Sequence, residues 1–285
     1  MKVVSSIAQM HCISAELRTS GKAICLVPTM GYFHDGHISL IKKACTISDT
    51  VVVSLFVNPT QFGPNEDFQK YPRDIQRDCE MAEAAGVDYL FVPDADEMYP
   101  FKSKSLIHIP EITDKFDGAK RPGHFDGVAT VVAKLFNIVQ PNIAIFGQKD
   151  YQQTLVIKRL VEDYHFNIDI IISPTVRMED GLAMSSRNTY LGDYERQAAN
   201  ILYKAMKRAE SAVLNGETNR NKLNGIMANE LLTIPGLKID YAAAALASNL
   251  DEPDNFVPGD EIVLLLACFL GKTRLIDNWL VTLPI

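Results

Sequence analysis

The sequence predicts an α/β protein: a mainly parallel sheet with helices on both faces over residues 1–175, followed by a smaller α+β lobe over 176–285. Short β-branched runs alternate with segments of helical periodicity as far as Pro174. Beyond it, two helical segments follow one another and three strand-like runs come without helices between them. The 285 residues, 47% of them apolar, suffice for one large domain or two ordinary ones.

The elements follow in chain order. "KAICLVP" (22–28) and "TVVVSLFVN" (50–58) are rich in β-branched residues, and "HISLIKKACTIS" between them has helical spacing, which makes a β-α-β unit. A loop rich in Pro, Gly and Asn leads to the helical "PRDIQRDCEMAEAAG", closed by Gly86, and then to the strand "VDYLFVP". The helix "DGVATVVAKLFNIVQ" stops before Pro141, and "NIAIFG" (142–147) is the next buried strand. "DYQQTLVIKRLVEDY" is helical and "IDIIISP" (168–174) ends the alternation. In the second lobe, "DYERQAANILYKAMKRAESAVLNG" and "NRNKLNGIMANELLTIPG" read as two helices. "LKIDYAAAALA", "EIVLLLACFL" and "TRLIDNWLV" read as strands.

Composition excludes several classes. A net charge of −7 argues against nucleic acid as the main partner, because phosphate backbones are held by clustered Lys and Arg. The start, "MKVVSSIAQMHC", lacks the sustained apolar core of a signal peptide, and "IVLLLACFL" (262–270) is far shorter than a membrane span. Five scattered cysteines without a CxxC pattern are expected to be reduced, mostly core thiols of a cytoplasmic protein.

Four segments at predicted strand ends carry chemistry. In "PTMGYFHDGH" (28–37), Gly31 and Gly36 permit close backbone approach, and the helix opening near His37 offers unpaired N–H groups and the positive end of its dipole to a phosphate. His34 and His37 can donate hydrogen bonds there as charge develops at phosphorus; a surface turn is the plainer alternative. Gln61, after the second strand, can bind a carboxylate or hydroxyl through its amide, or stabilise its own loop. In "GQKDYQQ" (147–153), Lys149 is a phosphate counter-charge, and Asp150 either accepts from ribose hydroxyls or caps the helix. "MEDGLAMSSRN" (178–188) places two serines and Arg187 beyond a hinge at Gly181, as an anion clamp or a solvated loop.

Together these segments resemble the pantothenate synthetase, or pantoate–β-alanine ligase, family over nearly the whole chain. "PTMGYFHDGH" with its HxGH core, "NPTQF", "YPR", "RPGHF", "GQKDYQQ", "DGLAMSSRN" and "TRLIDN" match the family's motifs in order. HxGH alone marks only the wider nucleotidyltransferase superfamily. The resemblance implies a Rossmann-like first domain, a smaller lid domain and a homodimer. It implies that ATP and pantoate form pantoyl adenylate with release of pyrophosphate, and that β-alanine then displaces AMP to give pantothenate. By resemblance, the ATP site comprises Met30, Gly31, Tyr32, Phe33, His34, Asp35, Gly36, His37, Gly147, Gln148, Lys149, Asp150, Val176, Met184, Ser185, Ser186 and Arg187. His37 is implied as the catalytic donor, aided by His34, Lys149, Ser185, Ser186 and Arg187. Gln61 and Gln153 correspond to the family's pantoate-binding glutamines, with Gln61 also near β-alanine. The triphosphate implies Mg²⁺, for which Asp78 is the candidate ligand, directly or through water; a helix-surface carboxylate is the alternative. His124 of "RPGHF" is expected to pack its loop rather than act in catalysis, with a place in a dimer interface as the alternative.

Two departures stand out. Gln148 replaces the family's usual glutamate, and "YAAAALASNL" (241–250) lacks the usual polar, acidic strand end. Rival readings are an adenylyltransferase with another acceptor, a tRNA-charging enzyme and a non-catalytic nucleotide sensor. The acidic balance and the lack of an anticodon-binding extension disfavour the tRNA-charging enzyme.

Overall fold

The computed structural model describes residues 1–64 and 66–285. They form two compact units, one of Met1–Gly147 with Gln152–Pro174 and one of Gln148–Tyr151 with Thr175–Ile285.

In chain order the first unit runs β1 (Lys2–Val4), α1 (Ile7–Thr19), β2 (Ile24–Thr29), α2 (Asp35–Ile47), β3 (Thr50–Leu55), α3 (Ile75–Ala85) and β4 (Tyr89–Phe91). It continues with two short helices, α4 (Ala95–Met98) and α5 (Phe116–Lys120), then α6 (His124–Val139), β5 (Ile143–Gly147), α7 (Tyr151–Asp163, its first residue belonging to the second unit) and β6 (Asp169–Ser173). All six strands are parallel, in the order β1-β4-β3-β2-β5-β6. The order reverses at β2, and ligands of such sheets bind beyond the carboxyl ends of the strands at that switch point. β2 pairs with β3 along its whole length but with β5 only at Cys25 and Leu26. Pro28, which has no N–H to donate, therefore sits where the ladder to β5 has ended. Two apolar clusters flank the sheet, one with Leu26, Phe91, Phe136 and Leu160, the other with Val27, Phe33, Ile41 and Ile145.

The second unit contains α8 (Asp193–Ala198), α9 (Ile201–Leu214), α10 (Arg220–Leu231) and the antiparallel sheet β7-β8-β9, formed by Lys238–Leu246, Glu261–Leu270 and Thr273–Thr282. Its core joins Leu202, Met206 and Leu223 from the helices to Ile262, Leu264 and Leu266 of β8.

Several expectations are corrected. β1 and α1 lie where only a non-signal start was foreseen. The single helix expected over 193–216 is divided, because Leu202 N–H reaches back only to Ala199 O (3.4 Å) while Lys204 N–H takes Asn200 O (3.1 Å). Cys25 and Cys268 alone among the five cysteines are buried, with Cys12 and Cys45 exposed and Cys79 between. Gln148–Tyr151, expected within the first domain, group with the second unit. The Asn278 side chain binds the carbonyls of Gln148 and Lys149, and the Tyr151 hydroxyl donates to Ala247 O at 2.7 Å. That last bond ends on the departing segment 241–250, whose strand residues still pair in register with β8.

Candidate active site

β2 delivers its chain into a bend at Gly31 and Tyr32, both left-handed, with φ of 81° and 52°. Gly31 is required twice over. Its φ disfavours any side chain, and a Cβ there would lie 2.9 Å from Asp78 Oδ2 and 3.1 Å from Leu55. Asp78, from the first turn of α3, holds the strained bend: its two oxygens accept from Tyr32 N–H (2.6 Å) and Phe33 N–H (2.7 Å). Arg77 adds a bond to Phe33 O (2.9 Å) and lies over the Tyr32 ring. Burial pushes the Asp78 carboxyl up, and the two amides and Arg77 oppose it.

That bend opens α2. His34 is its N-cap, with Nδ1 accepting from Gly36 N–H (3.1 Å), while His37 Nδ1 accepts from His34 N–H (3.4 Å). The rings lie 4.1 Å apart between centroids. A neutral imidazole whose Nδ1 accepts carries its proton on Nε2, so both rings are tautomers that donate from Nε2. Of the neighbouring residues assigned to ATP, Asp35 is exposed, Gly36 is partly exposed, and the Phe33 side chain is buried in the core with its N–H spent on Asp78, so that its carbonyl, which already accepts from Arg77, is the one group it has to offer a ligand.

Asp78 does not fit the role of magnesium ligand. Both its oxygens are committed to the bend and it is 1% exposed, and among the described residues no cluster of three His, Cys, Asp or Glu is placed to hold a metal.

Gln61 ends a 3₁₀ turn, Pro59–Gln61, beyond β3 and is buried. Its Oε1 accepts from Asn58 (3.1 Å) and its Nε2 points at Met30 Sδ (3.3 Å), so Met30 belongs with Gln61. Asn58 is held in turn by the Tyr99 hydroxyl at 2.7 Å. The Gln61 carbonyl accepts from His124 Nδ1 (2.8 Å), whose Nε2 faces Arg121 Nη1 (3.0 Å), and Arg121 forks onto Glu66 at 2.6 and 2.7 Å. Burial first, then Arg121, depress His124 to about 4, so it is neutral. Sequence reasoning missed Asn58, Tyr99, Arg121 and Glu66 as parts of this site and gave His124 only a packing role. The "NPTQF" and "RPGHF" motifs contained Asn58, Arg121 and His124 but said nothing of their meeting. Gln153 stands half-buried on α7, while its neighbour Gln152 is consumed bracing Ile112, Lys115 and Asp117.

In the second unit, Gln148 Nε2 donates to Asn278 Oδ1 (3.3 Å), and Lys149 Nζ lies 3.4 Å from Asp150. Met184 N–H bonds Val176 O (3.0 Å), folding the 176–187 loop into a hairpin-like turn. Ser185 caps the following 3₁₀ turn, and Ser186 is buried. Gly147, at the end of β5, belongs to the first unit and pairs with Ser173.

Residues 2–280 match the family described as pantoate-beta-alanine ligase. The chain is 51% identical over 284 residues to a pantothenate synthetase of Thermoanaerobacter sp. (strain X514), covering 98% of both chains. It is 50% identical over 281 residues to one of Carboxydothermus hydrogenoformans, covering 98% of this chain and 99% of that one. Among solved structures, a pantothenate synthetase of Thermus thermophilus superposes with a TM-score of 0.91 at 41% identity, covering 98% and 99% of the two chains. A pantoate-beta-alanine ligase of Francisella tularensis, complexed with beta-gamma ATP and beta-alanine, matches with a TM-score of 0.81 at 38% identity, over 98% and 97%. The order of motifs, the doubly wound sheet with its histidine-capped helix and these likenesses along the whole chain agree: the chain belongs to the pantoate–β-alanine ligase family.

Proposed function

We propose that this protein joins pantoate to β-alanine at the expense of ATP, through pantoyl adenylate. In the first step the pantoate carboxylate attacks the α-phosphorus and the bond to the β-phosphate oxygen breaks, releasing pyrophosphate. A carboxylate is ionised at neutral pH and needs no base, so the step depends on positioning and on stabilising charge. The observation that carries the reading is the pair of α2-capping histidines, whose Nδ1 atoms are tied to backbone amides so that Nε2 donates. His37 is the principal donor to the phosphates, His34 its neighbour, and Lys149, Ser185, Ser186 and Arg187 neutralise the triphosphate. The residues from Met30 to His37, Gly147 to Asp150, Val176 and Met184 complete the nucleotide contacts, with Phe33 acting through its carbonyl.

Gln61 and Gln153 orient pantoate by neutral amides, which leave its carboxylate nucleophilic where a fixed arginine pair would blunt it. In the second step the β-alanine amine, deprotonated, attacks the acyl carbon and AMP leaves; the amine proton passes to water or to an adenylate phosphate oxygen. Mg²⁺ enters as part of the Mg-ATP substrate, on phosphate oxygens, and Asp78 keeps to the bend. The division into a 1–175 domain for ATP and pantoate and a 176–285 lid, with Gln148–Tyr151 counted with the latter, belongs to the same reading. So do a homodimer, checked by sedimentation equilibrium, and a cytoplasmic location.

The test is AMP release from Mg-ATP and β-alanine with pantoate, without it, and with other small hydroxy acids. AMP and pantothenate formed only with pantoate are expected, and His37→Ala should slow adenylate formation on the order of 10²-fold. AMP release with another acid and not with pantoate would overturn the substrate; a fully active His37→Ala would overturn the role of His37.

A further inference from the structure

The "TRLIDN" segment has no part in the chemistry above, yet its last two residues are among the few polar side chains buried in the second unit, Asp277 at 3% and Asn278 at 2% exposure. They are consecutive on β9, so their side chains leave the strand in opposite directions. Each ends on a different segment of the proposed nucleotide site.

The Asn278 amide spends both its N–H groups on one place, Gln148 O at 2.9 Å and Lys149 O at 2.8 Å, and accepts from Gln148 Nε2 through Oδ1. A primary amide alone supplies two donors and an acceptor at that reach. Asp277 is held by both Nη atoms of Arg177, at 2.7 and 2.9 Å. Arg177 lies against the rings of Tyr203 and Trp279, 5.2 Å from each centroid, and donates to Gly181 O (3.0 Å) and Asn278 O (3.2 Å). Arg177 also bridges Ala183 across the 176–187 loop, next to the Val176–Met184 bond. A Cβ on Gly181 would meet the Tyr203 ring at 2.2 Å, so the loop's hinge is fitted to the same cluster.

We propose that Asn278 and the Arg177–Asp277 pair are positioning residues that fix the Lys149 backbone and the loop bearing Ser185–Arg187 in one common frame. Neither touches a reacting atom; each acts through a segment that does. The cluster also gives Gln148 a purpose: its amide can donate to Asn278 Oδ1, a bond that a glutamate at 148 would lack. This inference rests on the proposed role of Lys149.

The test is a double-mutant cycle, read as pantoate-dependent pyrophosphate release. Asn278→Asp keeps the shape and loses both donors, placing a carboxylate against two carbonyls. Alone it should slow adenylate formation on the order of 10- to 10²-fold and raise KM for ATP, while KM for pantoate stays within about twofold. On a Lys149→Ala background the same substitution should cost less than about threefold, since the group it positions is gone. Multiplicative losses, unchanged kinetics for Asn278→Asp, or an equal rise in both KM values would overturn the proposal. A fully active Lys149→Ala would instead overturn the role given to Lys149, and this proposal with it. If Asn278→Asp does not fold, Asn278→Ser, which keeps one donor, goes through the same cycle under the same criteria.

Discussion

His124 stays neutral because burial disfavours its charge and the adjacent Arg121 guanidinium disfavours it further, which together outweigh the opposing bond from its Nδ1–H to the Gln61 carbonyl and the pull of Glu66. With the ring's pKa depressed from the ordinary 6.5 to about 4, the unfolded chain takes up the proton first as pH falls. Its contribution to stability is complete above pH 6.5 and is lost between there and about 4, up to about 3 kcal/mol in all. Glu66, whose pKa is lowered by Arg121 against burial, gives way only below its ordinary 4.5, so the upper part of the window belongs to the histidine. His124→Gln, which cannot titrate, should therefore show a smaller fall in Tm between pH 7 and pH 5 than the parent chain; parallel falls would refute the assignment. The residue's partners were invisible in sequence. Glu66 and Gln61 lie 58 and 63 positions away, and only the packing of the 3₁₀ turn on α6 brings them to it.

At the scale of elements, that packing turns on Gly127. A Cβ there would stand 2.6 Å from Thr60 O and 2.7 Å from the backbone of Gln61, while its own carbonyl accepts from Asn58. Gly127→Ala should push the turn off α6, raising KM for pantoate by about tenfold and costing about 1–3 kcal/mol of stability, with KM for ATP little changed. An unchanged pantoate KM would detach the turn from substrate binding. Here sequence reading was strong where periodicity was strong: β2, α2, β3, α6, β5 and β6 fall within a few residues of the segments expected for them. It failed at β1, three residues on a sheet edge, which carry too little pattern to read, and at the α8–α9 break, where the apolar spacing continues through a shift in hydrogen bonding. It also cut the chain at residue 175 without foreseeing that Gln148–Tyr151 cross to the other unit, because a buried amide on β9, Asn278, distant in sequence, binds the carbonyls of Gln148 and Lys149.

For the whole molecule, the two units carry separate cores and, by chance of composition, one buried thiol each: Cys25 on central β2 and Cys268 on central β8. Burial pushes both thiols up to about 12, so alkylation of either requires its unit to open. Cys12 should react promptly in the native protein, and Cys45 and Cys79, whose thiols burial pushes up, more slowly. The distribution of proposed ligand groups then makes a unit-resolved prediction. Pantoate is assigned to Gln61 and Gln153, both in the first unit. A ligand that binds only the folded form suppresses opening in proportion to its saturation, by about 2.7 kcal/mol, roughly a hundredfold, at a concentration 100 times Kd. Pantoate alone should thus slow alkylation of Cys25 and leave Cys268 unchanged, as followed by mass spectrometry of each peptide. Equal slowing of both by pantoate would mean that the units open together and that the separate cores do not act as separate cooperative units. Slowing of Cys268 alone would place pantoate on the second unit and undo the assignment of Gln61 and Gln153.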